Sequence, residues 1–195
     1  MDKKQEIIDL IDKIIPFDDV EKEHQKDTLD WLKSGVEIFR IAKPATPLKH
    51  LVCYTVLYDA KEKKILLLEH KNAGILLPSG GHVDKNELLY ETVKRELQEE
   101  LGMEADFFQE NWKIPFFIHQ VKTIGKTAGH IDVNSWYILK GDSQKPLNSK
   151  AAEFKKEFGN YKWYTLDEIL EMPIEKLDVS MHRFTRKLIN FVKNK

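Results

Sequence analysis

The chain has 195 residues, 32 acidic against 31 basic, and a formal net charge of −1. This length suits one domain with an elaboration, the even charge gives no global drive toward nucleic acid or a membrane surface, and the longest apolar runs are far too short to cross a bilayer. One cysteine, Cys53, excludes a disulfide within the chain and fits a reducing, cytoplasmic setting.

Residues 1–45 read as a helical extension. Ile7, Ile8, Ile11, Ile14 and Ile15 form one apolar stripe, which Pro16 ends. A second helix is expected from Asp18 or Asp19 through Trp31 and Leu32 to Ser34 and Gly35. The segment carries eleven acids against eight bases, the wrong balance for a helix pair that reads DNA. Packing on the main domain or on a partner copy is the expected role. Pro44 and Pro47 mark a linker to the second unit, residues 48–195.

Residues 51–59 and 64–70 are apolar and β-prone around a polar turn, and predict a hairpin. Cys53 lies inside the first run and is expected as a small buried hydrophobe. Pro78-Ser79-Gly80-Gly81 follows as a glycine loop, where paired glycines let the backbone turn sharply and approach a ligand.

The next helix is the most informative stretch. Leu89, Val93, Leu97 and Leu101 recur every four residues and predict a core-facing stripe. Asp84 with Glu87 three positions later suggests a capping box, so the helix is expected to start just after Asp84. Gly102 is placed to stop it in the left-handed conformation. Glu96, Glu99 and Glu100 fall in one sector beside the stripe, with Arg95 pointing away from it and within reach of Glu87. Like charges at i,i+4 cost a helix roughly 0.2–0.5 kcal/mol per pair. Three carboxylates converging at a core edge therefore call for an offsetting partner, and a hard divalent cation such as Mg²⁺ or Mn²⁺ suits oxygen ligands.

Downstream, residues 107–121 predict one or two strands around Pro115, and 130–139 another. Residues 142–148 form a polar loop, 161–165 a short strand, 167–171 a short helix and 179–192 a terminal helix. This mixture predicts an α/β chain built as an α/β/α sandwich. His82, His119 and His130 are expected near the walls of a pocket as structural or solvated groups, and Asp132 is a candidate to face it. Phe116, Phe117, Trp136 and Tyr137 are expected in the core before any stacking role. No phosphate-loop, dinucleotide or zinc-cluster pattern is present.

From Gly81, five residues lead to Glu87, seven more to Arg95-Glu96-Leu97, then to Glu99-Glu100 and Gly102-Met103. With about 6% for each fixed polar or Gly position and about 30% for each apolar one, a chance match lies below roughly one in a million. The stretch resembles the Nudix box, Gly-x5-Glu-x7-Arg-Glu-U-x-Glu-Glu-x-Gly-U with U a bulky aliphatic residue, and every fixed position matches. Two departures are small: Ser79 stands within what is often Pro-Gly-Gly, and Asn86 stands where many members have Gly before the first Glu.

The resemblance implies a Nudix-type α/β/α sandwich with a mixed sheet, preceded by the short helical extension. It implies a metal-dependent hydrolase that cleaves the diphosphate linkage of a nucleoside diphosphate bound to a further group X, by attack of metal-activated water on phosphorus. Glu96, Glu99 and Glu100 would bind Mg²⁺ or Mn²⁺, the Gly81 carbonyl would add a ligand, and Glu87 would pair with Arg95. The general base is open between Glu99 and a later glutamate, Glu153 or Glu157, since some relatives use a loop glutamate beyond the box. A ligand-sensing module without catalysis is the alternative, but such domains often lose box glutamates and this chain keeps all of them. Diphosphate isomerisation would want a catalytic cysteine with a partner acid, and only Cys53 is available. Pro115 and His119 fit none of the substrate-linked positions beyond the box cleanly, so the substrate stays open. Many Nudix proteins dimerise, and the helical N-terminus offers apolar surface for a homodimer.

Overall fold

Alternation within the strands sorts the apolar side chains onto two faces of one sheet. The computed structural model describes residues 2–43, 45–125, 128–147 and 152–194, with backbone only at 152 and 153. Strand β1 (Lys49–Asp59) is central to a seven-stranded mixed sheet. It runs parallel to β6 (Ile131–Lys140), in register from Lys49↔Ile131 to Tyr58↔Lys140. Beyond β6 lies the antiparallel edge strand β5 (Phe117–Lys122). Strand β2 (Lys64–His70) meets β1 only at Tyr58↔Ile65 and Asp59↔Lys64. It then diverges to pair with β3 (Ile75–Leu77) and β7 (Phe158–Thr165). The edge of β1 that β2 leaves is taken by β4 (Ser79–His82). The expected hairpin therefore exists only at its turn.

One face of the sheet, with Leu51, Cys53, Leu57, Leu66, Leu68, Val133 and Tyr137, packs on α1 (Lys3–Asp12), α2 (Asp19–Lys33) and α3 (Leu89–Leu101). The other face, with Val56, Tyr58, Ile65, Leu67, Trp136 and Ile138, packs on α5 (Leu166–Glu171) and α6 (Met181–Lys193). This is the expected α/β/α arrangement. Phe116, Phe117, Trp136 and Tyr137 are all buried in these layers, and the Tyr137 hydroxyl donates to the Lys113 carbonyl at 3.1 Å. Cys53 is buried too, and burial followed by the nearby Glu96 charge pushes its thiol well above the usual range. That is an inert thiol.

Helix α2 closes the open edge of β5. Glu21 Oε1 accepts from the Ile118 N–H at 3.2 Å, and His24 Nδ1 accepts from the Gln120 N–H at 3.2 Å. Covering exposed strand donors in this way removes a template for unwanted pairing.

Several expectations need correction. Helix α1 ends at Asp12, so Ile15 leaves the stripe and stands 83% exposed while Ile7, Ile8, Ile11 and Ile14 are buried. The glycine loop is strand β4, because Gly80 adopts φ +148 where a Cβ would collide with the Cys53 carbonyl. Helix α3 starts at Leu89 and not just after Asp84. Asn86 takes φ +70, which breaks a helix and which Asn tolerates better than most residues. Residues 107–121 hold one strand, β5, with Phe107 making a lone bridge to Leu139. The stretch carrying Glu157 is a short helix, α4 (Ala152–Glu157), and not a loop. Among the described residues no helix is long and apolar enough to cross a membrane.

Candidate active site

Helix α3 is anchored by its stripe: Leu89, Val93, Leu97 and Leu101 are buried, and Gly102 ends the helix at φ +64. Each fully buried aliphatic side chain contributes about 1.5–3 kcal/mol, several times the repulsion between acids on the neighbouring face. The helix therefore tolerates an acidic edge. At its start, Glu91 accepts from the Leu88 N–H at 2.8 Å.

That edge is pressed against β4. The Gly80 N–H donates to Glu100 Oε2 at 3.1 Å. A Cβ on Gly81 would overlap the Glu96 carboxylate, so glycine lets the strand and the helix meet there. Arg95 locks the junction. Its Nε donates to Glu87 Oε1 at 2.8 Å, and one terminal nitrogen donates to Glu87 Oε2 and to the His82 carbonyl, both at 3.0 Å. Its other terminal nitrogen lies 2.7 Å from Glu96 Oε1 and 3.4 Å from Glu99 Oε2. Arg95 thus faces the carboxylate sector, contrary to the expectation that it points away, because a long guanidinium reaches around the helix surface. Burial alone would raise the Glu87 carboxyl, but the Arg95 and Thr92 hydrogen bonds prevail and hold it below the usual range.

The three glutamates differ in environment. Glu99 is open to solvent, with its side chain 53% exposed. Burial raises Glu96 despite Arg95. Glu100 is buried, and burial, then the Glu96 and Glu157 charges, push it up to about 9. Among the described residues no cationic side chain pairs with Glu100. Two electron-rich groups withdrawn from water beside each other make a site that attracts a cation.

A cleft of about 1550 Å³ opens over this edge, and Gly81, Glu96, Glu99 and Glu157 all line it. Glu157 enters from the end of α4, across from the box helix. The Glu153 side chain lies outside the described residues. His82, His130 and Asp132 also line the cleft. His119 does not: it is fully buried and its Nδ1 lies 2.9 Å from Ser180 Oγ. His50, which sequence reasoning passes over, is brought beside Asp132 by the β1–β6 register. The only local signal was the His130-x-Asp132 spacing, which puts both side chains on one strand face.

The raised Glu100 carboxyl has a consequence for stability. A folded pKa near 9 against an ordinary value of 4.5 means that the protonated form favours the fold. This contribution is complete below pH 4.5 and is lost as pH rises toward 9. Between pH 7 and 9 the metal-free protein is expected to lose stability. Glu100→Gln should flatten that loss, and so should a divalent ion. Thermal melts at pH 7, 8 and 9 check this, and identical slopes for wild type and Glu100→Gln would contradict it.

A family model described as the NUDIX domain matches residues 48–188. No curated protein sequence matches the chain. Among solved structures, the chain resembles a C. elegans Ap4A hydrolase in a binary complex, at 20% identity and TM-score 0.56, over 74% of this chain and 98% of that one. It also resembles the MutT protein from Methanosarcina mazei Go1, at 23% identity and TM-score 0.53, over 73% and 94%. A MutT NUDIX hydrolase from Burkholderia pseudomallei matches at 22% identity and TM-score 0.50, over 71% and 96%. At these identities the likeness is one of fold.

Proposed function

The chain belongs to the NUDIX family and is a pyrophosphohydrolase of that family, and from this premise we propose that it cleaves the diphosphate linkage of a nucleoside diphosphate derivative with the help of Mg²⁺ or Mn²⁺. The observation that carries the reading is the convergence of Glu96, Glu99 and Glu157 with Gly81 on one cleft, with Glu100 buried behind them.

The donor set fits hard cations. It consists of carboxylate oxygens, one of them buried without a cationic partner, beside a glycine whose lack of a side chain keeps the space open. Glu96, Glu99, Glu100 and the Gly81 carbonyl would hold the ions. When bound, such ions supply charge neutralisation at the phosphates and a water of lowered pKa. The chain's own groups then orient and deprotonate. Arg95 holds β4 against α3 and so fixes the spacing between Gly81 and the glutamates. Glu157, on the α4 side of the cleft, is assigned as the base that accepts the water proton, because Glu99 already contacts Arg95 and would also hold the ions. We also propose a cytoplasmic setting; light scattering decides between a monomer and the homodimer that the family resemblance makes possible.

The test is phosphate release from a panel of nucleoside diphosphate and triphosphate derivatives with Mg²⁺, with Mn²⁺ and with EDTA. Turnover that EDTA abolishes is the expected result. A folded protein that binds one of these ligands and turns over none of the panel would instead be a sensing module. Glu157→Gln is expected to lower kcat by roughly 10²–10⁴-fold with the Kd for Mn²⁺ unchanged. A kcat near that of wild type would return the base role to Glu99.

A further inference from the structure

Beside the glutamate edge, three strands bring together His50, His82, His130 and Asp132, whose ligating atoms lie within 4.8 Å of one another. His50 opposes Asp132 across the β1–β6 pair, and Val52 opposes His82 across β1–β4. The rings are close: the His50 centroid is 4.8 Å from that of His82 and 5.0 Å from that of His130.

Hydrogen bonds behind the rings fix their orientation. His50 Nδ1 lies 2.8 Å from the Pro47 carbonyl, which only accepts, so Nδ1 carries a proton and, in the neutral imidazole, Nε2 is a lone pair. Thr123 Oγ1 lies 3.0 Å from His130 Nδ1 and 3.2 Å from the His130 carbonyl, and it accepts from the His130 N–H at 3.3 Å. Both Nε2 atoms lie 3.3 Å from Asp132 Oδ1. Neither contact has hydrogen-bond geometry: His50 Nε2 and Asp132 Oδ1 are buried and have no hydrogen-bond partner. Two buried polar atoms that face each other with no hydrogen bond need an explanation, and a cation between them is one. An imidazole whose far nitrogen is held by a carbonyl or hydroxyl is the usual support of a metal ligand.

The spacing suits one kind of ion. Bonds of about 2.0–2.1 Å to a tetrahedral Zn²⁺ imply ligand–ligand edges of about 3.3–3.4 Å, which is the separation found at Asp132. We propose that His50, His130 and Asp132, with His82 beside them, form a second metal centre that takes a borderline divalent ion, Zn²⁺ foremost, in preference to the hard ions suited to the glutamates. His82 Nε2 accepts from an Arg40 terminal nitrogen at 3.0 Å. While Arg40 holds it, the centre has three protein ligands and an open position for an oxygen of water or of a phosphate chain. A guanidinium only donates, so the His82 Nε2 that faces Arg40 is a lone pair. Because His82 follows Gly81 directly and its carbonyl binds Arg95, an ion here would adjoin the glutamate edge without sharing its ligands. The assignment does not depend on the proposed hydrolysis.

The test uses the untagged full chain, stripped with a chelator and titrated with Zn²⁺ in excess Mg²⁺. Bound zinc is counted by elemental analysis after desalting, and Co²⁺ replaces it for d–d spectra. One equivalent of zinc is expected in wild type and in Glu99→Gln, with the intense Co²⁺ bands of a tetrahedral site. Asp132→Asn and His130→Gln should each weaken zinc by more than about 100-fold, beyond what loss of a supporting hydrogen bond does. The proposal is overturned by no stoichiometric zinc in wild type, by equal zinc in both variants, or by zinc lost with Glu99→Gln. If one variant fails to fold, the other and the wild-type Co²⁺ spectrum still decide.

Discussion

Glu99→Gln is expected to lower kcat by at least 100-fold at saturating metal and to leave the fold intact. The side chain is half exposed, and among the described residues it pairs with Arg95 at 3.4 Å, an exposed pair of the kind worth about 0–1 kcal/mol. For a domain of this size that is a Tm change of no more than about 2–4 °C. The catalytic effect is large for a different reason. Glutamine keeps the shape but removes the charge, on which, in the proposed role, both a hard cation and an oriented water would depend. Steady-state kinetics with Mg²⁺ and Mn²⁺, beside thermal melts, separate the two effects. Rates within a fewfold of wild type would remove Glu99 from the metal site.

The largest stability effect is expected outside the cleft lining, at Glu21. Its side chain is 0% exposed; Oε1 accepts from Lys187 Nζ at 2.7 Å and from the Ile118 N–H at 3.2 Å, and Oε2 accepts from the Phe17 N–H at 2.7 Å. Burial pushes the Glu21 carboxyl up and the Lys187 amine down, each opposed by the charge of the other. Glu21→Ala removes the acceptor for all three donors and leaves a buried ammonium unpaired, which typically costs about 3–5 kcal/mol. Lys187→Met should cost less, because Glu21 keeps two backbone donors and can take up a proton. Urea unfolding with a common m-value measures both. A loss under about 1 kcal/mol in Glu21→Ala would mean that α2 does not hold the β5 edge as described.

These two residues differ in how readable they are. Glu99 belongs to a local pattern. The four-residue stripe from Leu89 to Leu101, the acidic sector beside it and the stop at Gly102 all follow from 3.6-residue periodicity and from what glycine alone tolerates. The helix starts later than its cap-like spacing suggests, although Asp84 and Glu87 do form a turn, with Glu87 accepting from the Asp84 N–H at 3.3 Å. Asn86 at φ +70 then prevents that turn from continuing as helix. Its spacing resembled a cap, and only the backbone conformation distinguishes the two.

The sequence by itself determined the α/β character, the box helix with its stripe and acidic edge, and the family. All of these are set by residues within one or two turns of each other. The tertiary structure alone decided the rest. Strand pairing turned the glycine segment into β4 and pressed Gly81 against Glu96. The divergence of β2 from β1, and the docking of α4, put Glu157 into the same cleft. The parallel register of β1 with β6 set His50 against Asp132, two residues with no local relation. Helix α2 found its role only where the last strand edge was left open. Pairings of this kind depend on which surfaces remain unburied once the whole chain has packed, and no window of neighbouring residues contains that information.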